Sequence, residues 1–199
     1  MRVNPLFVTT ALAAALAVSA CQKSGVAADN AASNPDANAA ATVSATPPPA
    51  TPAADAATAQ GFVTGAATSD MYEIAAAKVA QQKSKTPAVK AFAAKMIHDH
   101  GASTAELKKV LAGGGINATP AAAMDDRHNG MIADLNQAPA SGFDKAYMDQ
   151  QVAAHTEAAA LFQGYASGGD NEALKAFAAK ILPTIQSHLD MAKQMDGAM

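Results

Sequence analysis

Five histidines fall among 199 residues, and two of them frame an aspartate in the stretch K-M-I-H-D-H-G at residues 95–101. Neutral imidazole and carboxylate are ligands for iron, zinc or copper, and imidazole also exchanges protons near neutral pH. Whether His98 and His100 act together depends on the backbone that carries them. In a helix each residue turns about 100° from the last. His100 then lies amid the apolar stripe Val89, Phe92, Met96, Leu107 and Val110. His98 falls roughly opposite, in water, and Asp99 at the flank of the stripe. The two histidines cannot share one site.

The same construction sorts the other candidates. His155 and Glu157 stand at opposite borders of a face made by Phe143, Tyr147, Ala154, Ala158, Leu161 and Tyr165, while Asp149 points away. His188 borders the stripe Leu174, Ala178, Ile181, Ile185, Leu189 and Ala192. Glu73 falls between Phe62, Ala66, Ala77 and Ala80. Counted from the two hairpin turns, Glu73, His100 and His155 share one level, and His188 lies roughly 9 Å further along. Glu73, His100, His155 and His188 are therefore the candidate metal ligands. A competing reading has buried His hydrogen-bonding to Glu, Tyr or a backbone carbonyl and only fixing helix register. The nine methionines read as helix-spaced gap fillers such as Met96, Met148 and Met195, not as a soft copper site.

These side chains need helices to hold them, and alanine-rich composition with few β-branched runs favours helices. The pattern predicts a first helix over 59–83 and a second over 87–112, capped by Thr86 with Pro87 at its first position and stopped by three glycines. A short helix beginning at Pro120 is expected over 120–136. A third long helix over 142–167 has Ser141 as its cap. A fourth over 171–196 has Asn171 or Asp170 as its cap and Pro183 inside as a kink. K-A-F-A-A-K occurs at 90–95 and again at 175–180. The expected fold is all-α: two similar hairpins in an up-down-up-down four-helix bundle, with the short helix in the connection between helices 2 and 3.

Residues 1–20 read as a signal peptide, with Arg2 before a short apolar stretch. V-S-A-C resembles a bacterial lipobox, which would place a lipid on Cys21, the one cysteine in the chain. A single cysteine also excludes an intrachain disulfide. Gln22 by resemblance favours the outer membrane of a Gram-negative cell. Residues 21–58, with A-T-P-P-P-A-T-P-A-A, read as a disordered tether from that anchor to a folded domain over 59–199. The formal net charge of −3, with no basic cluster, argues against nucleic acid as a main partner.

F-A-A-K-M-I-H-D-H, F-D-K-A-Y-M-D-Q-Q-V-A-A-H and I-L-P-T-I-Q-S-H-L, in that order, resemble the signature segments of the bacterial domain of unknown function 4142. The resemblance covers about residues 59–196. It implies a ferritin-like four-helix domain, often exported, with no established activity. Ferritin-like diiron proteins carry Glu on one helix and Glu-x-x-His on the next, then repeat the set. Here the matching tetrads are Ile97-His98-Asp99-His100 and Ile185-Gln186-Ser187-His188, with Glu73 and Glu157 in place of the lone glutamates. Isoleucine stands where the bridging carboxylates belong, which counts against a diiron oxidase and against an enzyme.

Two functions follow from these residues. One is a non-enzymatic, lipid-anchored periplasmic bundle serving the envelope under stress or binding a protein partner. The other is a metal-binding protein that uses Glu73, His100, His155 and His188 to hold a transition metal ion inside the bundle. A hydrolase has no support from a Ser, His and Asp arrangement or a Gly-rich phosphate loop.

Overall fold

Helix boundaries follow from which side chains can serve the free backbone N–H groups of a first turn. The computed structural model describes residues 53–199 other than Gly114. The expected signal peptide, Cys21 and the tether up to residue 52 lie outside the described residues. A short α1 (Ala53–Ala56) leads into α2 (Ala59–Lys83), whose N-cap Thr58 accepts from Gly61 N and donates to Asp55 O at 2.9 Å. Thr58 thereby ties the preceding turn to α2. Then come α3 (Pro87–Gly113), α4 (Asp126–Gln137), α5 (Phe143–Gly168) and α6 (Glu172–Asp196). Gly115 takes φ 59° where the chain leaves α3, a conformation that suits a residue without Cβ.

Two caps differ from expectation. The short helix starts at Asp126, not Pro120: Asp125 Oδ1 accepts from His128 N at 2.8 Å. Upstream, the Gln60 side chain bonds both the N–H and the carbonyl of Thr119, which holds that segment off a helix. At α5 the N-cap is Gly142 without a side-chain bond, rather than Ser141. Asn171 caps α6 as read from the sequence, accepting from Ala173 N and Leu174 N. That helix continues through Pro183 to Asp196.

The four long helices form the expected all-α bundle, with α4 in the connection between the second and third of them. Their directions do not follow up-down-up-down. Thr86, at the α2–α3 turn, bonds Asp144 at the start of α5, and Lys145 pairs with Asp196 at the end of α6. Phe62 near the start of α2 stacks on Tyr165 near the end of α5, with ring centroids 4.1 Å apart. The α5 helix thus runs parallel to α3, and the order is up-down-down-up. The segment between α3 and α5 travels the length of the bundle, carrying α4 along α2, as in bundles with one long crossover.

Two hydrophobic clusters fill the interior. One gathers Tyr72, Phe92, Met96, Leu135, Phe143 and Tyr147 toward the α2–α3 turn. The other gathers Phe62, Leu107, Phe162, Tyr165, Phe177 and Ile185 toward the opposite end. Between them lies a layer of buried polar residues: Asp70, Glu73, His100, Ser103, Gln151, His155 and His188, each at most 5% exposed. Placing polar groups inside costs free energy unless they are paired. This layer is where the functional question sits.

Candidate metal centre

Three helices each deliver one histidine to the layer: His100 from α3, His155 from α5 and His188 from α6. Their ring centroids are 5.4–5.5 Å apart pairwise. One nitrogen from each ring lies within 4.8 Å of the other two. Such a triangle has its centre no more than about 2.8 Å from each nitrogen, so a metal bond of about 2.0–2.1 Å needs each ring to move by less than about 1 Å.

Each ring has one nitrogen engaged and one without a partner. His100 Nδ1 pairs with Asp70 Oδ1 at 2.8 Å, and His188 Nε2 with Asp99 Oδ2 at 2.8 Å. His155 Nδ1 donates to the carbonyl of Gln151 at 3.0 Å. His100 Nε2, His155 Nε2 and His188 Nδ1 are buried and unpartnered. Ligating histidines characteristically donate their second N–H to a carboxylate or a backbone carbonyl, which fixes the tautomer and turns the lone pair toward the metal. All three rings are held in that way.

Glu73 occupies the same layer on a different footing. Its Oε2 accepts from Gln151 Nε2 at 2.7 Å, and its Oε1 lies 3.5 Å from His155 Nδ1, the engaged nitrogen. Glu73 therefore backs the cluster from behind His155 and does not join the three ring nitrogens. Burial pushes its carboxyl up to about 7 against the opposing pull of His100 and Gln151. Burial, with the neighbouring His100, pushes His155 down to about 3. His188 is pushed down to about 4 by burial, and by His100 and His155, against the bond to Asp99. For His100 burial works downward, but the Asp70 bond and the charges of Glu73, Asp70 and Asp99 outweigh it, and the net shift is upward. The layer thus raises the proton affinity of His100 and lowers that of the other two rings.

His188 is not 9 Å away from the other rings. The expected offset rested on hairpin turns at one end of the bundle, and they lie at opposite ends. With the true directions α6 still places His188 four to five residues nearer the α2–α3 turn than His100 or His155, roughly 6–7 Å by helical rise. Each Cα–Cβ bond tilts toward its own helix N-terminus. The α6 side chain therefore leans one way, those of α3 and α5 lean the other, and the three rings meet.

His98 is outside, with 82% of its side chain exposed, and it bonds Asp99 Oδ1. Glu157 is also outside the cluster, paired with Arg127 of α4. Asp70 and Gln151 escaped the sequence reading. Asp70 stands three residues before Glu73 on the same face of α2, a spacing that was there to be read. Gln151 stands four before His155 on α5 in the same way. Asp99, placed at the flank of the stripe, bridges Lys95, His98 and His188.

No curated protein sequence matches the chain. Two solved structures share its fold. The crystal structure of a DUF305 fragment from Deinococcus radiodurans is 16% identical, with a TM-score of 0.62 over 76% of this chain and all of that one. CopM in its Cu(II)-bound form is 19% identical, with a TM-score of 0.59 over 71% of this chain and 97% of that one. At these identities the likeness is one of fold. The family pattern described as "Domain of unknown function (DUF4142)" matches residues 44–195, and the chain belongs to that family.

Proposed function

We propose that this protein binds a divalent transition metal ion through His100, His155 and His188. The observation that carries the reading is a cluster in which one nitrogen from each ring lies within 4.8 Å of the other two, while each ring keeps one buried nitrogen without a partner. Leaving a buried polar atom unpaired costs about 1–3 kcal/mol. A cluster whose only task was helix register would have no reason to gather three rings that each leave one such atom unpaired. An all-imidazole set suits copper, zinc, nickel or iron. A related fold holding Cu(II) in CopM puts copper first among the ions to try. The carboxylates of Asp70 and Asp99 offset the cation's charge through the rings. Glu73 adds a third carboxyl behind His155.

In this reading the domain is a metal-holding head carried at the membrane by a lipid on Cys21. None of its described helices is long and apolar enough to cross a bilayer. Such a head fits storage, buffering or delivery of the ion in the envelope.

The test is a titration of metal-free protein with Cu(II), Zn(II), Ni(II) and Fe(II), followed by melting temperature and bound metal per chain. Binding to the native state alone must raise the melting temperature, by about 2.7 kcal/mol of stability at a hundredfold excess over the dissociation constant. One ion per chain is expected. His100→Ala, His155→Ala and His188→Ala should each abolish the shift, and His98→Ala should keep it. No shift with any ion, or an equal shift in His100→Ala, would refute the site.

A further inference from the structure

Three histidines would leave a first-row ion short of a ligand, and a cleft reaches two of the rings from one side. A cleft of about 530 Å³ opens between α3 and α6. His100 and His188 line it, whereas His155 does not. Ser103, one turn beyond His100 on α3, lines the same cleft. It is only 4% exposed, and its Oγ is buried without a partner. A helical serine commonly returns its hydroxyl to the carbonyl four residues back, but Ser103 does not. Ser103 also stands thirteen residues after Lys90 in one K-A-F-A-A-K, as His188 stands thirteen after Lys175 in the other. It thus holds on α3 the position that His188 holds on α6. The rim is tied by the Lys180–Glu106 ion pair at 2.6 Å.

We propose that this cleft is the mouth of the tri-histidine site and that a metal held there keeps one coordination position open to a small monodentate anion. Ser103 Oγ donates the hydrogen bond that holds the anion. The proposal rests on the metal reading above. A divalent ion among neutral imidazoles retains net positive charge for an anion to meet. The hydroxyl is a buried donor with nothing else to serve, on the side of the cluster that solvent reaches. Catalytic metal sites keep such an open position, whereas structural sites close it with a fourth protein ligand.

The experiment uses the full chain loaded with one equivalent of Cu(II), with azide as the probe and visible absorption and electron paramagnetic resonance as readouts. Azide should add a charge-transfer band and shift the copper signal, saturating at one azide per copper. In Ser103→Ala the azide affinity should fall by about 2–10-fold, beyond any change in copper affinity, as loss of one hydrogen bond predicts. In Thr184→Trp, which fills the mouth from the exposed face of α6, copper uptake measured by stopped flow should slow. Stoichiometric copper with a spectrum indifferent to azide would overturn this proposal and leave the metal reading standing. Failure to bind copper or any other ion would overturn both. Equal azide affinity in Ser103→Ala would overturn the role of Ser103, and unchanged uptake in Thr184→Trp would overturn the mouth.

Discussion

At the scale of the residue, the informative atoms are those that lack partners. His100 could be placed inside from helical angle alone, because a stripe of large apolar residues runs to either side of it. His98, two residues away, had to fall in water. Helical angle could not say what His100 would meet, since its partner Asp70 is thirty residues away on another helix. Glu73 was correctly read as inward, but its depth and its bond to Gln151 make it a supporting charge rather than a member of the nitrogen triangle. Its titration gives a testable sign. A carboxyl raised from 4.5 to about 7 in the native state holds its proton there while the unfolded chain has lost it. Native stability from this group is therefore complete below about pH 4.5 and declines as pH rises through 7. His155 and His188, depressed to about 3 and about 4, act in the opposite sense: their contribution is complete above about pH 6.5 and is lost as pH falls toward those values. Glu73→Gln removes the first effect only. The unfolding free energy of Glu73→Gln relative to wild type should therefore be higher at pH 8 than at pH 5, by a difference on the order of 1–3 kcal/mol, read from denaturation curves at the two pH values. A difference independent of pH would mean that Glu73 is not buried as a titrating group.

At the scale of the element, helix existence was easy to read and helix ends depended on particular contacts. Pro87, the glycines after α3 and the Asn171 cap are local signals, and they mark boundaries within a residue or two. Pro120 misled because a proline suits the first turn of a helix but does not start one. The side chain of Gln60, sixty residues upstream, holds that segment off a helix. The α1–α2 turn depends on Gly61 in a way composition does not reveal. A Cβ there would sit 1.6 Å from Asp55 O, a backbone atom that cannot rotate away. Gly61→Ala should therefore lower stability by about 1–3 kcal/mol, the range for an overpacked contact. Alanine ordinarily favours a helix over glycine by about 1 kcal/mol, so the sign itself is diagnostic. A chemical denaturation curve showing equal or greater stability would mean that the α1 turn detaches freely.

At the scale of the molecule, an apolar core at each end of the bundle holds a polar layer in the middle, and we propose that a lipid-anchored leader precedes both. Cys21→Ser tests the anchor separately from the head: the variant should leave the membrane fraction and keep its leader. Continued membrane association with normal processing would remove the lipid from the picture while leaving the histidine cluster untouched. The helix order shows where sequence and structure part. Helical propensity, amphipathic spacing and caps act within about four residues, so the chain alone determined an all-α bundle, its four long helices and the inward face of His100. Whether the second hairpin packs the same way up as the first, or inverted, is decided by side chains far apart in sequence: Thr86 on Asp144, Lys145 on Asp196, Phe62 on Tyr165. Inversion makes α6 antiparallel to α3, so the side chains of His188 and His100 lean toward one another along the bundle. A tri-histidine cluster therefore depends on packing between helices, and only the tertiary structure could bring its three rings together.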